Sequence, residues 1–294
     1  MPLPFVVVDQ NQMRCAEVIA AAMEQCRQEH LRFLIPDVAG FEFSKILSKG
    51  GDPFLTWKHS LQSIAPFSGR VVIGRKLSDV WNEEINEGSP SVRIVDDGAT
   101  ERFRNLLCQI NSGNESSLRS LIDGSVLRLM PSSLAHWSNH EDHKVMLRRV
   151  RDSLRSQLTE ATIKDLRTRT ADGMVAWLSS ADGVRFVFQR VQNRGASPET
   201  ALRLATEPSA YGGFLSGMAA IGLYWLAFGG LEEAKPEGVT NDLHDLEYGI
   251  LGALSHSLLT ADKRLKVIHY AIRSGYLGRK EWFTRACTVG PEKA

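Results

Sequence analysis

Short apolar runs rich in β-branched residues constrain the fold of this chain most strongly. The first run is Phe5–Val8, and Asp9 follows it directly. Such a run predicts a buried strand, and a carboxylate immediately after it lies where open α/β sheets bind their ligands. Similar runs at Leu31–Ile35, Arg70–Ile73 and Ser257–Thr260, with helical patterns along the intervening chain, predict an α/β fold.

Three further acidic residues stand close to strands or on helices of this pattern. Pro36 ends the second run, and Glu42 lies on the helix that follows, on a different face from its apolar residues. Apolar residues recur at helical spacing around Asp245 and place it in the first turn of a helix. Asp262 follows the fourth run. We therefore expect acids from both ends of the chain to share one pocket.

Four sequence pieces resemble the PIN-like nuclease domains. They are VVVDQNQ, IPDVAGFEFSKIL, NDLHDLEYGILGAL and LLTADKRL, which agree with that family in order, approximate spacing and local structure. The resemblance covers roughly residues 1–85 and 238–285. It implies a three-layer α/β/α fold with a central parallel sheet, formed by residues 1–98 and 237–294. Residues 99–236, whose pattern is almost wholly helical, are then a large helical insertion.

The resemblance also implies an activity, a metal and a set of site residues. PIN-like domains use clustered carboxylates to bind Mg²⁺ or Mn²⁺ and to hydrolyse phosphodiester bonds, usually in RNA. The implied catalytic and metal-binding residues are Asp9, Glu42, Asp245 and Asp262, with Asp242 as a further candidate ligand. Thr260 matches the hydroxyl residue that commonly precedes the last acid, and we assign it to substrate binding.

The residue types suit this chemistry, although each acid also has an ordinary structural explanation. Hard divalent cations prefer carboxylate and water oxygens, whereas His and Cys favour softer metals. On the other hand, Asp9 and Asp245 stand at positions typical of helix starts, and Glu42 or Asp262 are explained equally well as solvated surface charges. The order of the four acids along the chain favours the shared metal site.

An arginine-rich stretch of the helical segment is the expected place of substrate contact. Arg148, Arg149, Arg151 and Arg155 are spaced along one predicted helix, and guanidinium groups bind phosphate oxygens with two parallel hydrogen bonds. We expect them to contact an RNA backbone. Because Asp152, Glu160 and Asp165 interleave with these cations, ordinary ion pairs on an exposed helix are the alternative explanation.

Two other segments leave alternatives open. The stretch 210–231 carries no charge and is long enough to span a bilayer, but its six glycines and its surroundings favour a buried or dimer-forming helix over a membrane helix. The segment HWSNHEDH contains His136, His140 and His143. The first two have the spacing of zinc ligands on one helix face, whereas Ser138 and Asn139 indicate a helix start within the set and favour an exposed loop.

Composition limits the remaining classes of function. The chain has 294 residues, with 35 Lys and Arg against 34 Asp and Glu, so no overall basic field indicates a nucleic-acid partner. Four cysteines without CxxC spacing and the start MPLPFVVVD, which lacks a basic region and a cleavage site, favour a cytoplasmic protein. Neither GxGxxG nor GxxxxGK[ST] occurs.

The sequence thus predicts a metal-dependent endoribonuclease. The alternatives are a catalytically silent module of the same fold that binds a partner or regulates it, and a structure-specific DNA nuclease. RNA is the expected partner and DNA is an alternative substrate. A second copy of the chain or an inhibitor protein is a further expected partner, and membrane association is not expected.

Overall fold

The computed structural model describes residues 3–39, 52–117, 119–120 and 139–288. The chain forms two compact units. The first contains residues 1–77, 93–139 and 255–261, and the second contains residues 78–92, 140–254 and 262–294. The predicted α/β class is confirmed, since a mostly parallel sheet is combined with many helices. The two units are defined by how compactly their residues pack, which does not show whether a segment is an insertion. The predicted domain boundaries therefore stay a prediction.

The first unit contains a five-stranded sheet. Its strands are β1 (Leu3–Val8), β2 (Arg32–Ile35), β3 (Val71–Gly74), β4 (Val95–Asp96) and β5 (Ser255–Leu259). The strand order is β4-β3-β2-β1-β5. All neighbouring pairs are parallel except β3 and β4, which are antiparallel. The first and last strands in the sequence are therefore direct neighbours in the sheet.

The three inner strands are buried apolar runs, as expected of a parallel sheet that is covered on both faces. Residues 5–8 of β1, 33–35 of β2 and 71–73 of β3 are all buried. The four predicted strands are confirmed with ends that differ by up to two residues. The fifth strand, β4, was not predicted from the sequence.

Three helices of the first unit lie wholly within the described residues: α1 (Ala16–Gln28), α2 (Pro53–Leu61) and α4 (Asp97–Ser112). Carboxylates cap two of them. Asp52 accepts a hydrogen bond from the backbone N of Phe54 at 2.8 Å, and Asp96 accepts one from Ala99 at 2.7 Å. These caps satisfy amide groups that a helix start otherwise leaves unpaired. A further helix begins at Asp37, and its described part ends at Ala39.

The second unit is helical over its described residues. It contains α3 (Leu77–Glu87, apart from its first residue), α5 (His140–Arg155), α6 (Glu160–Thr168), α7 (Thr170–Ser179), α8 (Ala181–Gln192), α9 (Pro198–Thr206), α10 (Ala210–Phe228), α11 (Pro236–Leu254) and α12 (Lys263–Thr288). Its apolar core draws on residues of α5 to α10 and α12. Side chains such as Leu154, Phe186 and Leu223 are fully buried there.

The charge-free helix α10 lies mostly inside this core. It is the one helix among the described residues that is long and apolar enough to cross a membrane, and 72% of its most apolar window is buried within the protein. A core helix passes the same test of length and composition. Its glycines permit close packing: a Cβ at Gly217 would lie 2.0 Å from Leu246 of α11, and one at Gly213 would lie 3.0 Å from Ile250. The small-xxx-small spacing thus serves contacts within the unit.

A buried carboxylate caps the start of α10. Glu84 of α3 is fully buried, and its two oxygens accept hydrogen bonds from the backbone N of Ala210 and of Tyr211, both at 2.8 Å. The Ser209 hydroxyl accepts from the backbone N of Gly212 at 3.1 Å. Burial raises the pKa of Glu84, and the amide hydrogen bonds from Tyr211 and Ala210 oppose that rise. The first turn of the apolar helix is therefore fully satisfied.

Replacement of Glu84 tests this account of the helical unit. Glu84→Ala leaves the amides of Ala210 and Tyr211 buried without acceptors, so we expect it to lower the free energy of unfolding by roughly 2 to 3 kcal/mol. The measurement is urea denaturation followed by circular dichroism. Glu87→Ala is the matched control, because Glu87 is an exposed carboxylate on the same helix. Equal stability of the two variants would contradict the capping role of Glu84.

Candidate functional site

Asp9 and Thr260 lie together at one edge of the sheet in the first unit. Asp9 is only 5% exposed and Thr260 is 7% exposed. The Thr260 hydroxyl donates a hydrogen bond to Asp9 Oδ2 at 2.7 Å, and the backbone N of Asn11 donates to Oδ1 at 3.3 Å. These hydrogen bonds hold the carboxylate in one orientation. The structure thus brings together two predicted site residues that are 251 positions apart in the sequence.

The parallel pairing of β1 with β5 is the cause of this contact. Val7 is in register with Leu258, and Val8 with Leu259. Because the two strands run in the same direction, the residues that follow them both lie where the carboxyl ends of the strands meet. These residues are Asp9 and Thr260. The backbone N of Asp9 continues the ladder by donating to Leu259 O at 3.0 Å. The carboxyl end of a parallel strand is the usual place of a ligand site in an open α/β sheet.

Asp262 stands at the start of α12 in the second unit. Its side chain accepts a hydrogen bond from the backbone N of Leu265 at 2.8 Å, and the residue is exposed. This is the geometry of a helix cap, and the exposure of the residue agrees with the alternative explanation of Asp262 as a solvated surface charge. The structure does not test a metal-binding role for Asp262, which stays a prediction.

Asp242 is buried on α11 and is paired with an arginine. Its side chain contacts both terminal nitrogens of Arg264 in the first turn of α12, with Arg264 Nη1 at 3.1 Å from Oδ2. Burial raises the pKa of Asp242 to about 6, the Arg264 guanidinium opposes that rise, and the Asp262 carboxylate adds to it. Asp242 and Asp262 are therefore close enough to interact electrostatically, and Arg264 neutralises the buried member.

The last two predicted metal ligands are Asp245, which the structure describes, and Glu42, which it does not. Asp245 lies half-buried in the middle of α11, and the prediction that it occupies the first helical turn was wrong. The helix begins earlier because Pro236 provides a favourable first position. Glu42 lies outside the described residues. Within the described ranges, no three His, Cys, Asp or Glu side chains are arranged to hold a metal ion, and the magnesium or manganese site stays a prediction.

Three of the four predicted phosphate-binding arginines have acidic partners in the second unit. Arg148 forms a bidentate pair with Glu232, with Nε and Nη2 at 3.0 and 2.6 Å from Oε2, and Arg151 Nη1 lies 2.9 Å from Oε1. The hydrogen bond from Arg148 lowers the pKa of Glu232. Arg155 is paired with Glu160. Most of this stretch thus forms the ion pairs that were the alternative explanation.

Arg149 is the exception. It is exposed on α5 and lines an open pocket of about 380 Å³ in the second unit. Its spacing from the other three arginines on the helix turns it toward a different face. No described carboxylate forms an ion pair with it.

The described histidines of HWSNHEDH belong to a hydrogen-bond cluster. His140 begins α5, which agrees with the helix start indicated by Asn139, and His143 is buried rather than in an exposed loop. Their Nδ1 atoms lie 2.8 and 3.0 Å from the Thr240 hydroxyl. His136 lies outside the described residues. One hydroxyl shared by two imidazoles ties α5 to α11 within the second unit.

No protein-family model, curated protein or solved structure matches this chain.

Two charged residues around these predicted sites were missed by the sequence analysis. Arg264 was not singled out, although the basic sequence KR directly after Asp262 was a visible signal for a cation near the acids. Arg190, the second arginine of the pocket beside Arg149, was also missed. It comes from a different helix, 41 positions farther along the chain, and no local pattern connects the two.

The raised pKa of Asp242 predicts a pH dependence of stability. The folded protein binds the proton more tightly than the unfolded chain does, so this stabilisation is complete below about pH 4 and is lost as the pH rises through about 6. The expected loss is at most about 3 kcal/mol. Asp242→Asn should flatten the unfolding free energy measured by urea denaturation over this range. An unchanged slope in the variant would contradict the assignment.

The hydrogen bond between Thr260 and Asp9 gives a second prediction. Thr260→Val removes the hydroxyl while keeping the side-chain shape, and we expect it to lower the free energy of unfolding by roughly 1 to 3 kcal/mol, since a buried carboxylate loses a donor. Thr260→Ser retains the hydroxyl and is the matched control. Thermal denaturation of the two variants provides the measurement, and equal melting temperatures would refute the role of this bond.

Proposed function

We propose that the chain is a metal-dependent phosphodiester hydrolase of the PIN-like type, acting as an endoribonuclease in the cytoplasm. The single observation that carries this proposal is the buried Asp9 carboxylate at the carboxyl end of β1, held by the Thr260 hydroxyl at the end of β5. The three-layer arrangement and the status of residues 99–236 as an insertion are parts of the same proposal. The mixed, mostly parallel sheet supports it at the level of fold class.

The donor set fits a hard divalent cation. Asp9, Glu42, Asp245 and Asp262 offer only carboxylate oxygens, which Mg²⁺ and Mn²⁺ prefer. A bound ion of this kind lowers the pKa of an attacking water and stabilises charge on the phosphate. Thr260 fixes the rotamer of Asp9 and so orients its oxygens.

Asp242 fits the metal site less well than the other acids do. Both of its oxygens contact Arg264. A cation at these oxygens would have to displace the Arg264 guanidinium from its pair with the buried carboxylate. We therefore propose that Asp242 positions Arg264 rather than binding metal, and that Arg264 holds the start of α12 beside Asp262.

The proposed substrate is RNA, with DNA as the alternative polymer. Of the four predicted arginines, Arg149 is the one we expect to meet a phosphate first, since it does not have to leave a carboxylate. Arg148, Arg151 and Arg155 would exchange Glu232 or Glu160 for phosphate oxygens. Exposed ion pairs are worth only about 0 to 1 kcal/mol, so that exchange is not prohibitive.

A second candidate function is a catalytically silent module that binds a partner, either an inhibitor protein or a second copy of the chain. The observation that favours it is the pairing of Asp242 with Arg264, which places a fixed positive charge beside Asp262. A cation next to a ligand carboxylate opposes binding of a divalent ion. The fixed charge thus weakens the binding of a second ion, which hydrolysis by two metal ions requires, so this candidate predicts metal binding without turnover.

A cleavage assay separates the two functions. The protein is incubated with Mn²⁺ and with labelled single-stranded RNA, single-stranded DNA or branched DNA. We expect cleavage of RNA, and a decrease of roughly a hundredfold or more in Asp9→Asn, because a metal ligand supplies several kcal/mol of transition-state stabilisation. Asp182→Asn is the matched control, because Asp182 is an exposed carboxylate of α8.

Each other result has a defined meaning. Cleavage that is equal in Asp9→Asn and in the unaltered protein would refute the proposed catalytic residue. Cleavage of branched DNA alone would identify a structure-specific DNA nuclease. Binding of Mn²⁺ without cleavage of any substrate would support the silent module.

A further inference from the structure

The pocket beside Arg149 has charged groups at its two ends. It is lined by Asp142, Val145, Met146, Arg149 and Val150 of α5 and by Arg190 of α8. The five α5 residues recur at intervals of three and four and so share one face of that helix. Asp142 and Arg149 are seven residues apart, which corresponds to about 10 Å along the helix axis. Apolar side chains form the wall between them.

Arg190 adds its positive charge to the Arg149 end. Its Nη2 donates to the Ser153 hydroxyl at 3.2 Å, and Ser153 lies one turn beyond Arg149 on α5. Its Nη1 donates to the backbone O of Phe186 at 3.2 Å, and its guanidinium lies 3.4 Å from the centre of the Phe186 ring. These contacts hold the side chain in one orientation. The cationic end of the pocket is therefore preorganised on one side.

Neither arginine is neutralised by the described part of the chain. Burial lowers the pKa of Arg190, and no carboxylate contributes to that shift. No described acid forms an ion pair with Arg149 or Arg190. A half-buried guanidinium without a counterion is unfavourable, and a bound anion would relieve that cost. Two guanidinium groups match the two charges of a phosphate monoester, and they bind its oxygens bidentately.

We propose that this pocket binds a nucleoside monophosphate or a closely similar phosphate monoester. Its phosphate contacts Arg149 and Arg190, its ring packs on Val145, Met146 and Val150, and an amino group at the far end donates to Asp142. The cavity of about 380 Å³ falls in the range of small-ligand sites. The separation of about 10 Å between the ends suits a phosphate and the exocyclic amino group of a base. This binding site does not rest on the proposed hydrolysis of RNA.

The test measures ligand binding by calorimetry with a chelator present, so that nuclease activity cannot contribute. The probes are 5′-AMP, 5′-IMP, adenosine and inorganic phosphate. We expect 5′-AMP to bind more tightly than the other three. Adenosine lacks the phosphate, and inorganic phosphate lacks the ring. In 5′-IMP an oxygen replaces the amino group that would donate a hydrogen bond to Asp142.

Three variants make the test specific. Arg149→Gln should weaken 5′-AMP binding by roughly tenfold to a hundredfold, since a charge-assisted hydrogen bond is lost. Asp142→Ala should remove the preference for 5′-AMP over 5′-IMP. Arg185→Gln is the matched control, because Arg185 is an exposed arginine of the same helix as Arg190 and is paired with Asp182. All three residues are exposed, and circular dichroism checks that each variant is folded.

Several outcomes would overturn the proposal. They are undetectable binding of 5′-AMP at millimolar concentration, unaltered binding in Arg149→Gln, and an equal loss in Arg185→Gln. Binding of single-stranded RNA that depends on Arg149, together with no binding of 5′-AMP, would also overturn the proposal. The pocket would then belong to a polymer-binding surface. That last result would leave the proposed ribonuclease function intact.

Discussion

The parallel pairing of β1 with β5 is the interaction on which the functional account depends. It joins the two ends of a long chain in one sheet, with Val7 beside Leu258 and Val8 beside Leu259. The pairing places the residues after both strands at one edge, so that Thr260 can hold the Asp9 carboxylate. Closing so long a loop costs conformational entropy, which the buried apolar strands must offset. A chain that lost this pairing would lose the geometry of Asp9 as well.

In the helical unit, too, buried polar side chains bind groups on neighbouring helices. Glu84 caps the apolar helix α10, and Arg264 accompanies Asp242. Arg279 is fully buried, and it donates from Nε to the backbone O of Leu178 at 2.6 Å and from Nη1 to that of Ala205 at 3.1 Å. Buried charges add little net stability, but each is costly to leave unpaired. They therefore fix which helices meet and in what register, while apolar packing supplies most of the stabilising free energy.

The sequence predicted the elements with strong local patterns and missed those that depend on tertiary contacts. Apolar runs identified four strands, because a buried parallel strand is apolar on both faces. Strand β4 has two residues and no such run. The capping role of Glu84 was not foreseen, although Glu84 follows Val80 and Trp81 at helical spacing and so occupies an apolar face. For the site, the apolar run before Asp9 singled out that residue, and the family resemblance singled out Thr260. The ion pairs of Arg148 and Arg151 with the distant Glu232 have no local signature.

The central claim is that Asp9 is the anchor of a divalent-ion site, and diffraction measures this most directly. Crystals soaked with Mn²⁺ should show an anomalous peak within bonding distance of an Asp9 oxygen, at about 2.2 Å, with further oxygen ligands from the predicted acids. Crystals of Asp9→Asn should lack that peak under the same conditions. Manganese bound elsewhere, with no peak at the Asp9 carboxylate, would contradict the account.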